Sequence, residues 1–176
     1  MAPGRAWAQR HGRSPDKLPR VLGWGHRTAG LPLDEKLRRS AGEPYILPHV
    51  RQAISDAFAR AGLPGPEALH GIETHDCFTV TEYMAIDHFG LTPPGQSWRA
   101  IEDGRLELGG ALPLNPSGGL IGAGHPVGAS GVRQALDAFK QVTDTAGDYQ
   151  VAGAKNVQTL NIGGSGTTSV SFVIGV

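Results

Sequence analysis

A chain of 176 residues with 39% hydrophobic content is long enough for one compact soluble domain built around one core. Its 16 basic and 16 acidic side chains leave a formal net charge of zero, which removes any general electrostatic reason to bind nucleic acid or an anionic membrane. The single cysteine, Cys77, excludes an intrachain disulfide framework and fits a reducing, cytoplasmic compartment, and no apolar run approaches the roughly 20 residues that span a bilayer.

Charge is unevenly spread, with nine Lys/Arg against three Asp/Glu in residues 1–39. A solvated basic end is the plainer reading, and a surface for an anionic ligand or acidic partner the functional one. The first fifteen residues are Arg-rich and acid-free like a transit peptide, but their Pro and Gly content argues against a sustained amphipathic helix and against targeting. Residues 21–24 form a short apolar run that predicts a strand. Over residues 48–61, Val50, Ala53, Ile54, Ala57, Phe58 and Ala61 recur at helical spacing, and Gly62 and Pro64 end the helix. A brief strand is expected over 71–75. Helical spacing returns at Val80, Met84, Ile86 and Phe89 and stops at Gly90. Proline and glycine interrupt every pattern in residues 91–114, which read as a long loop with short ordered pieces. Val132, Ala135, Leu136, Phe139 and Val142 mark one face of a further helix. Strand candidates at 157–162 and 169–176, joined by a glycine-rich link, form a hairpin. This order predicts an α/β fold, a mixed sheet of about four to five strands with helices on both faces.

Three clusters could carry chemistry. His125 lies in the glycine-rich stretch NPSGGLIGAGHPVGASG (115–131), just ahead of a helix whose N-terminal N–H groups would stabilise a developing anion and suit the imidazole to accept a proton. The alternative is a helix-entry histidine bonded to a loop carbonyl; glycines on both sides favour function, because close backbone approach needs a reason. His75, Asp76, Cys77 and Phe78 follow a strand, where α/β folds place ligands, although packed His and Cys residues are common. Their spacing matches no zinc module. Asn161 to Gly166, NIGGSG, could aim backbone N–H groups at an oxyanion or simply turn a hairpin; with no following lysine or helix it is not a phosphate loop.

These motifs, in this order, resemble the C-terminal half of the thiolase superfamily, in its sterol-carrier-protein-type branch. NPSGGLIGAGHPVGASG is similar to the thiolase Gly-His-Pro signature, with Gly122 where many members have Ser or Ala. HDCF at 75–78 resembles the motif that replaces Asn-Glu-Ala-Phe in this branch, VLGWGHRT the opening strand, and NIGGSG the closing Cys-x-Gly turn. On this reading residues 1–20 are a remnant of an inter-domain region and 21–176 the C-terminal domain. The resemblance implies that His125 takes a proton from a nucleophilic cysteine and then helps form an oxyanion hole, which His75 completes. Gly163 would face a second oxyanion through its N–H. Phe78 and Gly124 would border the substrate, an acyl-CoA thioester, with no further cofactor and no metal. Asn161 occupies the position of the usual acid–base cysteine, a role the resemblance passes to Cys77.

The family's acyl-accepting cysteine belongs to an N-terminal half that these residues do not include. The expectation is therefore a C-terminal half, inactive alone, that associates with an N-terminal half or another subunit and forms oligomers. A fragment, a split subunit and a degenerate homologue all fit, a fragment being preferred because the site motifs are intact. The helix at 127–145 should leave an apolar face open. Alternative functions are a thiolase-like retro-aldolase of steroid side-chain degradation and a non-catalytic CoA-binding or assembly module.

Overall fold

The computed structural model describes residues 3–176; residues 1 and 2 of the basic amino-terminal stretch lie outside the described residues. The carboxy-terminal hairpin organises the sheet. Strand β3 (Asn156–Gly163) turns back through residues 164–167 into β4 (Thr168–Gly175), pairing antiparallel from Gly163↔Thr168 to Asn156↔Gly175. Strand β1 (Arg20–Thr28) adds antiparallel to β4 and β2 (Gly71–Glu73) adds parallel to β3, which makes a four-stranded mixed sheet of order β1-β4-β3-β2. Beta-branched and apolar residues dominate both central strands, as burial on two faces requires.

Period-two alternation sends neighbouring residues of β3 to opposite faces. Leu160 joins one core, with Val50, Ile54 and Phe58 of the helix α3 (Pro48–Ala61), Ile72 of β2, and Ile86 and Phe89 of α4 (Thr79–Phe89). Val157 joins the other, with Ala138 and Val142 of α7 (Ser130–Val142) and Ile174 of β4. Helices thus cover both faces. Gly23 and Gly25 let α3 lie directly on β1: a Cβ at Gly25 would stand 1.8 Å from the Ala53 carbonyl oxygen, and one at Gly23 2.0 Å from that of Ala57. Each fully buried Ile or Phe of this core contributes roughly 1.5–3 kcal/mol of transfer free energy.

Helix α3 has the predicted bounds, and α3 and α4 end at Gly62 and Gly90, both in the left-handed region. Strand β1 is longer than the apolar run 21–24, because its outer half, Gly25 to Thr28, is fixed by pairing with β4 rather than by hydrophobicity. Val80 points to solvent instead of sharing the core face of α4. Four short helices escaped the periodicity reading: α1 (Pro3–Arg10), α2 (Leu33–Ser40), α5 (Ser97–Glu102) and α6 (Gly119–Ala123). The reason is clearest in α2, where Leu33 and Leu37 are exposed. That helix is favoured by charge, with Asp34 and Glu35 in its first turn and Arg38 and Arg39 in its last, complementing the backbone dipole. No described helix is long and apolar enough to cross a membrane.

Candidate active site

Two loops that carry the histidines leave the sheet side by side. Leu114 forms a parallel bridge with Ile72, the Ile72 N–H donates to the Pro113 carbonyl at 3.0 Å, and the Asn115 N–H donates to the Ile72 carbonyl at 2.7 Å. Asn115, at φ 51°, turns its Oδ1 back to accept the Thr74 N–H at 2.7 Å. Beyond this point the loops are fastened by buried carboxylates. Glu73 accepts the Ser117 N–H at 3.2 Å and its hydroxyl at 2.6 Å, and Asp76 accepts the Leu120 N–H at 2.6 Å. Gly119, at φ 60°, makes the last contact possible, since a Cβ there would sit 2.1 Å from Asp76 Oδ2.

Helix α7 clamps the same loops from the other side. Arg133 donates to Ser117 Oγ at 3.2 Å and to the Gly119 carbonyl at 3.0 Å while paired with Asp137 at 3.0 Å. Gln134, fully buried, donates to the Thr74 carbonyl at 2.9 Å and accepts from the Asn161 amide. Burial pushes the Glu73 carboxyl up to about 7 against the pull of its Ser117 hydrogen bonds.

Within this frame the His75 and His125 rings meet edge to face, with centroids 4.9 Å apart. Ser130 Oγ lies 2.7 Å from His125 Nδ1 and donates to the Pro126 carbonyl at 3.2 Å. The serine therefore accepts from Nδ1–H, which leaves Nε2 as the basic nitrogen. Burial holds His75 below the ordinary imidazole range, and His125 adds to this while the Asn161 side chain and Asp76 oppose it. His75 is therefore neutral at neutral pH, and its Nδ1 is buried and lacks a hydrogen-bond partner among the described residues.

Both histidines open into a cavity of about 750 Å³ that Cys77, Phe78, Asn161 and Gly163 also line. Five of the six sequence-nominated site residues, His75, Cys77, Phe78, His125 and Gly163, are brought together there. The sixth, Gly124, is exposed at φ 88° beside His125 and does not line the cavity. Cys77 is half-buried, with Sγ 3.9 Å from Thr81 Oγ1, and Phe78 is exposed. Met84 contributes to the wall from α4. The arrangement places two imidazoles, a thiol and the glycine-rich turn 163–166 around one space, residue types that suit proton transfer and stabilisation of an oxyanion. No cluster among the described residues has the makings of a metal site. Of the fasteners, Asp76 stands in the sequence only as a member of the 75–78 cluster, and Glu73, Arg133 and Gln134 were not singled out; for the two helical residues the available signal was a polar side on a helix whose opposite face is apolar.

The chain is thus a mixed four-stranded α/β domain whose candidate site gathers beyond the carboxyl ends of β2 and β3. The Thiolase C-terminal domain-like family model matches residues 36–176, and the chain belongs to that family. It is 42% identical over 121 residues to an acetyl-CoA acetyltransferase of Methanothermobacter thermautotrophicus, which covers 69% of this chain and 31% of the relative. Identity to sterol carrier protein 2 of Homo sapiens is 37% over 122 residues, covering 69% of this chain and 22% of that protein. The benzoylsuccinyl-CoA thiolase subunit BbsB of Thauera aromatica is 35% identical over 102 residues, covering 58% of this chain and 26% of the relative. The chain thus spans less than a third of the length of these relatives. Among solved structures, the Ltp2-ChsH2(DUF35) aldolase superposes with a TM-score of 0.73 at 23% identity, over 90% of this chain and 39% of that one. A monomeric SCP2-thiolase like protein of Mycobacterium smegmatis gives 0.65 at 16% identity, over 96% and 31%. These two likenesses concern the fold.

Proposed function

We propose that the chain is the C-terminal half of a thiolase-type acyltransferase, working by thiolysis or Claisen condensation on 3-oxoacyl-CoA or acetyl-CoA. The supporting observation is the convergence of His75, Cys77, His125, Asn161 and Gly163 on one cavity. In thiolysis, a cysteine borne by an N-terminal half or a second subunit gives its proton to His125 Nε2 and attacks the 3-oxo carbon. His75 and the Gly163 N–H stabilise the oxyanions. The C2–C3 bond breaks and Cys77 protonates the departing C2 carbanion; the Cys77 thiolate then takes the proton of the coenzyme A thiol, whose sulfur accepts the acyl group, and the released cysteine recovers its proton from His125. Cys77 is the one cysteine in the 176 residues and serves as acid, so the nucleophile comes from elsewhere. The relatives named as acetyl-CoA acetyltransferase and thiolase subunit support acyl transfer.

The association itself is supported by α7, whose outward residues Val132, Leu136 and Phe139 are 73%, 49% and 44% exposed. An apolar stripe of this kind marks a surface that another element covers. Acetoacetyl-CoA thiolysis tests the proposal. The chain alone is expected to stay at background, and activity should appear on addition of a partner carrying a reactive cysteine. In that complex His125→Ala should lower kcat by about 10²–10⁴. Robust turnover by the 176-residue chain alone would overturn the partner-supplied nucleophile.

Asn161, which cannot transfer a proton at neutral pH, favours a second reading, retro-aldol cleavage of a 3-hydroxyacyl thioester. The fold shared with an aldolase fits it. Release of an aldehyde or ketone from a 3-hydroxyacyl-CoA without consumption of free coenzyme A would select that reaction; retention of Cys77 argues for the thiolase one.

A further inference from the structure

Behind the turn that carries Gly163 lies a second chamber, of about 390 Å³, walled by the end of β1, by α2 and by the start of α3. Its ionisable lining is entirely basic: Arg27, Lys36, Arg39 and His49. Lys36, Ile46 and Leu47 line both this chamber and the 750 Å³ cavity, so the two spaces share one wall.

The chamber's cations are unequally neutralised. Arg27 is paired with Asp56, its Nε donating at 2.7 Å. Lys36 is only 5% exposed, and its Nζ donates to two neutral acceptors, the Leu31 carbonyl at 2.7 Å and Thr167 Oγ1 at 3.4 Å. Neither Lys36 nor Arg39 has a carboxylate within ion-pair distance among the described residues. An ammonium taken out of water keeps three N–H donors and a full charge, and two neutral acceptors satisfy only part of that demand. His49 faces the same space and donates Nε2–H to the Gly166 carbonyl at 2.7 Å. Burial, with Arg39 and Lys36 adding repulsion, holds its imidazole below the ordinary range.

The geometry points to a receptor for an anionic oxygen group, a carboxylate or a phosphate, gripped by Lys36 and Arg39 in this chamber beside the acyl-transfer cavity. The anion supplies the charge that Lys36 lacks and gives Arg39 a planar or tetrahedral partner for its fork of donors. Because Lys36 and His49 also hold Thr167 and Gly166, the bound group braces the turn that presents Gly163. Assigning the anion to part of an acyl-CoA rests on the proposed function; the anion site does not.

Calorimetric titration of the full 176-residue chain with inorganic phosphate and with glutarate tests this at low salt, where the Coulombic attraction is least screened. Saturable binding of at least one probe is expected, weakened roughly tenfold in Lys36→Met and severalfold in Arg39→Gln, each removing one charge-assisted contact. The His49 ring resonances should report a raised pKa in the bound state. Arg39 is exposed, so Arg39→Gln decides the matter even if Lys36→Met fails to fold. Absence of saturable binding, or binding unchanged in the folded variants, overturns the proposal. Two further arms identify the source. A Lys36-dependent preference for glutaryl-CoA over pentanoyl-CoA assigns an acyl carboxylate, and displacement of phosphate by coenzyme A but not by its dephospho form assigns the nucleotide phosphate. All of these are binding measurements, so failure of the acyltransferase reading leaves their outcome readable.

Discussion

The helices on the two faces of the sheet obey opposite rules. On α3 the inward residues are Val50, Ala53, Ile54, Ala57 and Phe58, and the exposed ones, Gln52, Ala59 and Arg60, are polar apart from one alanine. On α7 the inward residues include Ser130, Gln134, Asp137 and Gln141, while Val132, Leu136 and Phe139 look out. A helix that serves only its own core is written like α3. Helix α7 instead holds the loops of the candidate site by hydrogen bonds on one side and presents an exposed apolar stripe on the other. The difference separates what stabilises this domain from what positions its candidate site.

That contrast can be broken most severely at β1. Gly25→Val drives side-chain atoms into the Ala53 carbonyl, and the loss should exceed about 3 kcal/mol, read as a collapse of the urea midpoint. If the variant folds normally, α3 is not seated as closely as its role requires.

A smaller, pH-dependent effect belongs to the α7 side. Glu73 ordinarily titrates near 4.5 and is pushed up to about 7 in the fold. Between those values the native state keeps a proton that the unfolded chain has lost. The contribution of this group is therefore complete below pH 4.5 and is lost as pH rises through 7, with a magnitude on the order of 3 kcal/mol. Glu73→Gln should flatten that slope in denaturation curves recorded across the window, whereas a substitution in the α3 core should shift the whole curve without changing its slope.

The smallest effect on stability should come from the outward stripe. Leu136→Ser with Phe139→Ser is expected to change unfolding free energy by no more than about 0.5 kcal/mol, while reducing apolar-dye fluorescence and any association seen by light scattering. A large loss of stability would place those side chains inside the domain's own core.

Much of the α3 side was legible because its periodicity and its glycine stops obey local rules. The hairpin was legible for the same reason. His75, Cys77, His125 and Gly163 could be named from their motifs, since glycine density and residue order mark them. What was not legible is how they are held. Asp76 and Glu73 act through loops 44 residues away in sequence, and no local pattern announces such a pairing. Gln134 and Arg133 occupy the polar side of an amphipathic helix, the side that single-sequence reasoning assigns to water. Here the polar side meets other polar groups, and burial follows from complementarity rather than from hydrophobicity.

The adjacency of Ile72 and Leu114 has one more implication. The chain departs from the sheet after Glu73 and comes back to it at Leu114, one strand spacing away, so residues 74–113 form an excursion whose two ends are already closed upon each other. It is no free loop, because Ile86, Phe89, Ala100 and Leu106 within it are buried in the same core as Leu160. Phe78, Thr81 and Met84, which wall the cavity, lie within that excursion. The architecture thereby sets one wall of the cavity on a segment held at both ends by the sheet edge and in its middle by the core.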